Sequence, residues 1–204
     1  HILDSIRNIN VDWRDQFFKN GSFMEQQVSF QGGTDKVRYY NSLNYYNQDG
    51  VAIRTGLKRF NLKSNLDFGD DKLTGNLNVG LGYSKSQFTE GEGATGVGSS
   101  MASVYYALPY EQPYAPDGTL IHFGNEDDYF ILDQREGSAG LERLFNSWDK
   151  MNQFKTILGG SLNYQITPTL KASTRAGADY RASNSEIFIN PDSYYGSRKN
   201  ANTL

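Results

Sequence analysis

Few residues in this chain are suited to chemistry. It has no cysteine and two histidines, His1 and His122, so disulfides, thiolate zinc sites and cysteine nucleophiles are excluded, and no Ser/His/Asp constellation can be assembled. The sequence predicts no catalytic residue, no cofactor and no metal site. Calcium is the one metal with suitable oxygen ligands, but their spacing lacks the EF-hand pattern and favours a solvated acidic loop; these ligands are Glu126, Asp127, Asp128 and Asp133.

Aromatic side chains in residues 85–150 are the better candidates for contact with a ligand or partner. They could stack on sugar rings or pack under a partner protein, and packing within the segment itself is an equal alternative. The candidates are Tyr105, Tyr106, Tyr110, Tyr114 and Trp148. The glycine-rich stretch 90–100 lacks the ending of a phosphate loop and is typical of a flexible linker. Residues 141–148 predict a short helix with Leu141, Leu144, Phe145 and Trp148 on one side.

The elements that position these residues are predicted to be β-strands. Apolar and polar residues alternate completely over 59–68 and again over 73–84, with a tight turn at 69–72. Residues 24–46 and 152–181 predict two further hairpins with turns at 32–35 and 167–169. Short turns therefore lie at one end of the sheet and long connections at the other, which is typical of outer-membrane barrels.

The chain divides into five predicted segments. The first is a lead-in with a short helix, which Asn10 caps and in which Asp12 and Asp15 occupy the first turn. The segments are the lead-in at 1–21, four barrel strands in two hairpins at 22–84, a long extracellular loop at 85–150, a barrel hairpin at 151–181 and the start of another extracellular loop at 182–204.

The placement of aromatic residues distinguishes a membrane wall from a soluble core. Ten residues at about 3.3 Å each, tilted by about 40°, rise about 25 Å, the height of the apolar band of membrane barrels. Rings concentrate at both ends of the apolar faces and aliphatic residues fill the middle, as lipid interfaces require. The predicted interface aromatics are Phe30, Tyr39, Tyr45, Phe60, Phe68, Tyr83, Phe154, Tyr164 and Tyr180.

Composition agrees with this hypothesis but leaves an alternative open. The 204 residues carry a net charge of −3 and no basic cluster, which argues against nucleic acid as a partner. No apolar run is long enough for a transmembrane helix, and the mean hydropathy is −0.63. A soluble all-β carbohydrate-binding module remains the alternative, and a secreted hydrolase with paired carboxylates is a third possibility.

The opposite faces of the predicted strands are polar. They suit a wet lumen or a surface packed against a polar plug. Their basic residues could attract an anionic solute, although water-facing charges balanced by Asp67 and Asp179 are the favoured interpretation. These basic residues are Arg59, Lys63, Lys155, Lys171, Arg175 and Arg181.

Three stretches of the first third resemble the SusC/RagA family of TonB-dependent outer-membrane transporters. They are NVDWRDQFF at 10–18, VSFQGGT at 28–34 and YYNSLNYYNQDG at 39–50, and the likeness continues through KRFNLKSNLD at 58–67. More loosely, ALPY at 107–110 and PYAPDGT at 113–119 are similar to a family loop.

The resemblance implies an all-β fold of antiparallel up-and-down transmembrane strands, part of a 22-stranded barrel with an N-terminal plug. It also implies a bacterial outer-membrane importer of glycans or peptides, with a SusD-like surface lipoprotein as partner and TonB acting through the plug. No enzymatic activity is expected. The six predicted strands are fewer than the eight of the smallest barrels, so we expect the chain to come from the first half of a larger barrel.

Overall fold

The computed structural model describes residues 6–89, 100–122 and 136–201, with the side chains of Glu136 and of 198–201 left out. Its dominant element is one six-stranded antiparallel sheet in which each strand pairs with the next along the chain. The strands are β1 Ser22–Gly33, β2 Val37–Asp49, β3 Gly56–Gly69, β4 Leu73–Phe88, β5 Ser147–Thr167 and β6 Leu170–Ile189. This up-and-down order confirms the predicted fold class.

The last two strands are longer than the alternation indicated. β5 has 21 residues and β6 has 20, and their pairing extends to Ser147 opposite Ile189. The hairpin predicted at 151–181 therefore continues into both neighbouring predicted loops. Backbone pairing persists there although Ser183, Asn184 and Ser185 make both faces polar, so the sequence gives no alternation to detect.

The short lead-in helix begins later than predicted. Helix α1, Trp13–Phe17, is capped by Asp12 and not by Asn10, because the extended Asp12 accepts a hydrogen bond from the Arg14 N–H through its side chain. The Arg14 side chain also donates to this carboxylate, with 2.6 Å between Nη2 and Oδ2. These side-chain and backbone hydrogen bonds from Arg14 lower the pKa of Asp12 to about 2.

Three further helices of the described ranges lie beyond the end of the sheet at which the long connections lie. They are α2 Ser100–Tyr106, α3 Glu136–Asn146 and α4 Tyr194–Ala201. The helix predicted at 141–148 is thus the second half of α3, and Trp148 belongs to β5. Phe145 is exposed and does not join Leu141 and Leu144 on the buried side. None of the helices in the described ranges is long and apolar enough to cross a membrane.

The main hydrophobic cluster lies at the long-connection end, outside the sheet. Four buried residues form it, and we call them the rim cluster: Trp13, Phe17, Leu141 and Leu144. They come from α1 and α3, which lie far apart in the sequence. The sheet, by contrast, leaves most of its large apolar side chains exposed.

Local hydrogen bonds close the tight turns at the opposite end. In the β3–β4 turn the Asp70 carboxylate accepts from the N–H groups of Lys72 and Leu73 at 2.9 and 2.8 Å. These two backbone bonds, that of Leu73 first, lower the pKa of Asp70. The turn is therefore held by residues within three positions of each other.

Candidate functional site

Most of the large apolar side chains of the six strands lie on one surface of the sheet, which we call the aromatic face, and a few, such as Phe23, Ile157 and Ile187, lie on the other. Strand pairing places Tyr45 opposite Phe60, Phe60 opposite Tyr83 and Tyr83 opposite Phe154. The Tyr45 and Phe60 rings are 4.7 Å apart between centroids. These four residues form a continuous aromatic row across β2 to β5, near the long-connection end. Tyr180 on β6 lies opposite Thr156, one step nearer the turns.

A second group of rings lies near the turns on the same face. Phe30 and Tyr39 meet edge to face at 6.5 Å between centroids. Phe68 covers Gly75 on the next strand, where an added Cβ would come within 2.6 Å of the ring. Tyr164 lies opposite Leu73. All nine predicted interface aromatics thus lie on one face in two groups, although lipid contact itself stays a prediction.

The middle of the aromatic face is aliphatic and lacks a covering layer in the described part of the chain. Val28, Leu43, Leu77 and Leu158 are exposed to between 43% and 69%. Side chains of this size normally gain about 1.5–3 kcal/mol each by leaving water. An apolar surface this extended indicates an interface with another apolar phase or partner.

The opposite surface, which we call the polar face, carries hydrogen-bonding side chains. Asn44 donates to Glu25 at 2.7 Å, and Asn61 donates to Asn44 at 3.2 Å. Lys155 and Asp179 form an ion pair at 3.7 Å. A groove of about 450 Å³ runs between β3, β4 and β5 on this face. Amide, hydroxyl and charged groups there can hydrogen-bond to a polar solute passing along the strands.

Segments distant in sequence meet around the rim cluster. The Trp13 Nε1–H donates to the Leu108 carbonyl at 2.8 Å, 95 residues along the chain, and the Val11 N–H donates to the Pro109 carbonyl at 2.7 Å. Arg54 ties the β2–β3 connection to α3 by donating to the Leu144 carbonyl at 2.6 Å. These bonds hold residues 108–109 next to the lead-in, and the end of α3 next to the β2–β3 connection.

The five predicted contact residues are divided between two places. Tyr105 and Tyr106 on α2 are exposed, and their rings meet edge to face at 5.4 Å. Tyr110 is half-buried and Tyr114 is exposed in the segment that follows. Trp148 instead stacks on Phe188 of the neighbouring strand at 5.4 Å, and the Lys150 ammonium lies 3.9 Å from its ring centre. The five residues therefore do not form a single surface.

A buried carboxylate in this region was not predicted from the sequence. Glu111 is 2% exposed and accepts a hydrogen bond from the Ser138 N–H in the first turn of α3 at 3.0 Å. It therefore joins the 107–122 segment to α3, a contact that no local pattern reveals. The acidic residues considered for calcium, 126–128 and 133, lie outside the described residues, and the described ranges hold no cluster of metal-binding side chains.

Comparison with known proteins gives a consistent result. No family model matches the chain. It is 32% identical to TonB-dependent receptor P3 of Formosa agariphila over 187 residues, which cover 83% of this chain and 18% of that receptor. It is 24% identical to TonB-dependent receptor SusC of Bacteroides thetaiotaomicron, with 92% of this chain and 20% of SusC covered. The chain thus spans about a fifth of the length of these relatives.

Solved structures show the same fold. The RagAB peptide transporter matches with a TM-score of 0.72 and 19% identity, covering 92% of this chain and 21% of that one. The RagAB peptide importer in its closed-closed state matches with a TM-score of 0.69 and 20% identity over the same 92% of this chain and 21% of the other.

These relatives are receptors and not enzymes, and they favour a membrane wall over a soluble carbohydrate-binding module or a hydrolase. The matched fold contains six consecutive antiparallel strands, each paired with the next, and the match covers 92% of this chain. The chain is a barrel segment of the SusC/RagA type of TonB-dependent receptor, a class of outer-membrane proteins.

Proposed function

We propose that the chain forms part of the wall of a TonB-dependent importer that moves glycans or peptides across the outer membrane. The observation that carries the proposal is the continuous row Tyr45–Phe60–Tyr83–Phe154, which borders an exposed aliphatic band on one face only. Aromatic rings are favoured at the level of lipid headgroups. The aromatic face accordingly meets lipid and the polar face lines the solute path.

The polar face supports passage of a hydrogen-bonding solute. Its groove is lined by Asn61, Asn65 and Asn78 together with Arg59 and Lys63. Amides both donate and accept hydrogen bonds, so they suit the hydroxyls of sugars and the backbone of peptides alike. RagAB is a peptide importer, and the family resemblance implies glycans or peptides, so both solute classes stay within the proposal.

Uptake by cells that carry the complete receptor tests the transport role. Labelled oligosaccharides and labelled oligopeptides of matched size are offered to the parent strain, to a receptor deletion and to a strain without TonB. We expect one solute class to enter the parent strain, and its uptake to fall to background in both other strains. Uptake that persists without the receptor or without TonB would contradict the proposal.

The proposed partner is a SusD-like surface lipoprotein that contacts the long segment at the rim. Tyr105 and Tyr106 project from α2, 83% and 57% exposed, in a segment that the rim cluster holds in place. Large rigid rings of this kind supply much of the affinity of protein interfaces. In RagAB the importer is a two-protein assembly by name, which is the basis for expecting a partner here.

Co-purification with the tagged receptor tests this contact. A double Tyr105→Ala, Tyr106→Ala variant is compared with Tyr164→Ala, an exposed tyrosine at the turn end of the sheet. We expect the double variant to retain at least tenfold less lipoprotein and Tyr164→Ala to retain the parent amount. Equal recovery in all three samples would exclude these tyrosines from the interface.

A further inference from the structure

A basic groove lies just beyond the aromatic row, on the long-connection side. It encloses about 520 Å³, and five basic side chains and one carboxylate, Asp49, are among the residues that line it. The basic residues are Lys19, Arg54, Lys58, Lys85 and Lys150. Arg54 is engaged with the Leu144 carbonyl, whereas all four lysines are exposed. The groove therefore has a strong excess of positive charge.

The three strand lysines belong to the aromatic face and not to the polar face. Lys58 is two residues from Phe60, and Lys85 is two residues from Tyr83, so each shares a face with its aromatic neighbour. The Lys85 ammonium lies 5.8 Å from the Tyr83 ring centre, which confirms the shared face. Two residues of a strand span about 7 Å, so Lys58 and Lys85 lie one step above the aromatic row, and Lys150, four residues from Phe154, lies two steps above it.

Strand pairing brings these lysines together without enough opposite charge. Lys58 is directly opposite Lys85, and Lys85 is opposite Asn152, two residues from Lys150. Like charges directly opposite each other destabilise a sheet. Among the described residues of the aromatic face, the carboxylates at this level are Asp49 in the groove and Glu186 opposite Lys150, and none of the four lysines forms an ion pair with a described residue. The described carboxylates therefore do not neutralise the positive charge of the groove.

We propose that this groove binds the phosphate groups of a phosphorylated glycolipid in the outer leaflet of the membrane. The inference rests on the proposed function, since it requires the aromatic face to contact lipid. Long loops of outer-membrane barrels are extracellular, so the groove lies at the headgroup level of the outer leaflet. Lysines on flexible stems suit phosphates as mobile point charges. The aromatic row below packs against the first segments of the acyl chains.

The opposite end of the sheet lacks such a surface. The groove near the turns contains Lys36 and Arg38 together with four aspartates, so its charges are mixed with an acidic excess. On the aromatic face, the strands end there in Val37, Phe68, Leu73 and Leu170. The basic surface is therefore specific to the side where the outer leaflet lies, as a site for outer-leaflet phosphate requires.

The test compares lipid binding by the complete, delipidated receptor in detergent. The receptor is titrated with bisphosphorylated lipid A, with the same lipid after removal of its phosphates, and with inorganic phosphate, and bound molecules are counted by native mass spectrometry. The test variant is Lys58→Gln, Lys85→Gln, Lys150→Gln. The matched control removes three lysines of the polar face by Lys63→Gln, Lys155→Gln, Lys171→Gln. A third variant carries arginine at the three groove positions and keeps their charge.

We expect the groove variant to bind bisphosphorylated lipid A about 100-fold more weakly, at about fivefold for each lysine near a charged membrane surface. The control and the arginine variant should bind like the parent, and the dephosphorylated lipid should bind the parent and the groove variant equally. Unchanged lipid A binding in the groove variant would overturn the proposal. So would displacement of lipid A by equimolar inorganic phosphate, which would identify a free anion as the ligand.

Insertion into lipid nanodiscs separates failure of this site from failure of the proposed function. Each variant is checked for a folded barrel by its heat-modifiable migration on gels. A parent receptor that inserts into discs but shows no preference for the phosphorylated lipid contradicts the headgroup site alone. A parent receptor that does not insert contradicts the proposed function itself.

Discussion

The rim cluster and the aromatic face use the same kinds of residue in opposite ways. Trp13 and Leu141 of the rim cluster are 4% and 0% exposed, whereas Val28 and Phe60 of the sheet are 69% and 55% exposed. The rim therefore builds its own core and is stable next to water. The described part of the sheet has no such core, and under the proposed function lipid covers its apolar side chains. The chain thus contains one unit with a buried core and one with an exposed apolar face, joined at the end of the strands.

The largest effect should come from removing a ring of the rim cluster. Trp13→Ala deletes a buried side chain and the hydrogen bond to the Leu108 carbonyl, and buried Trp→Ala changes cost about 3–5 kcal/mol. We expect hydrogen exchange in 100–122 and 137–146 to become much faster while exchange in the sheet is unchanged. Phe60→Ala, which removes an exposed ring of the sheet, should leave the rim protected. If hydrogen exchange in the sheet also became faster in Trp13→Ala, the rim and the sheet would open as a single cooperative unit.

A charge on the aromatic face should have the next largest effect. Val79 lies between the two groups of rings, opposite Ser64 and Leu158, and its neighbour Asn78 belongs to the polar face. Arginine in place of a lipid-facing residue near the midplane costs about 2–4 kcal/mol. Val79→Arg should therefore destabilise folding into phosphatidylcholine vesicles by this amount, and Asn78→Arg should have little effect. Equal losses in urea titrations of the two variants would contradict the assignment of faces.

Substitutions at two glycines compare the packing of the rim with that of the sheet, with a smaller expected effect. A Cβ at Gly140 would collide with the Ser103 side chain and come within 3.0 Å of Phe17, whereas a Cβ at Gly159 of the sheet meets nothing within 4 Å. Overpacking costs about 1–3 kcal/mol. Gly140→Ala should thus lower the temperature at which the rim becomes sensitive to protease, and Gly159→Ala should not. Identical digestion profiles would show that the rim is loosely packed.

The smallest effect concerns acid and the tight turn. The lowered pKa of Asp70 means that its ionised form favours the folded turn. This contribution is present above the unfolded carboxyl pKa of about 3.9 and is lost as the pH falls through the lower folded value. Exchange of the Lys72 and Leu73 amides should therefore accelerate below about pH 4 relative to a strand amide. Asp70→Asn should remove this pH dependence, and its persistence would assign the effect to another group.

Sequence patterns predicted the sheet better than the rim. Alternation over 59–68 and 73–84 lies within β3 and β4 and differs from their bounds by a few residues at each end, because each side chain of these strands has a clear face. Alternation did not predict the far ends of β5 and β6, where residues such as Asn184 make both faces polar. The aromatic row needed the pairing register, which turn positions fix only approximately.

The rim could not be predicted, because its contacts join residues far apart in the sequence. Neither the packing of Trp13 against α3 nor the Glu111 bond to Ser138 has a local signal. The basic groove has a partial local signal in the sequence, because Lys58 and Lys85 each lie two positions from an aromatic residue. Only the register of β3 against β4 shows that these two lysines are directly opposite.

Accessibility of spin labels at Leu62 and Asn61 shows whether the aromatic face contacts lipid and the polar face contacts water. These adjacent residues of β3 lie on the aromatic and polar faces, respectively. Each is replaced by cysteine in the complete receptor, labelled and studied in a phosphatidylcholine bilayer with oxygen and with a water-soluble nickel chelate as relaxation agents. We expect the label at position 62 to respond mainly to oxygen and the label at position 61 to respond mainly to nickel. Equal access of nickel to both positions would contradict a lipid-facing wall.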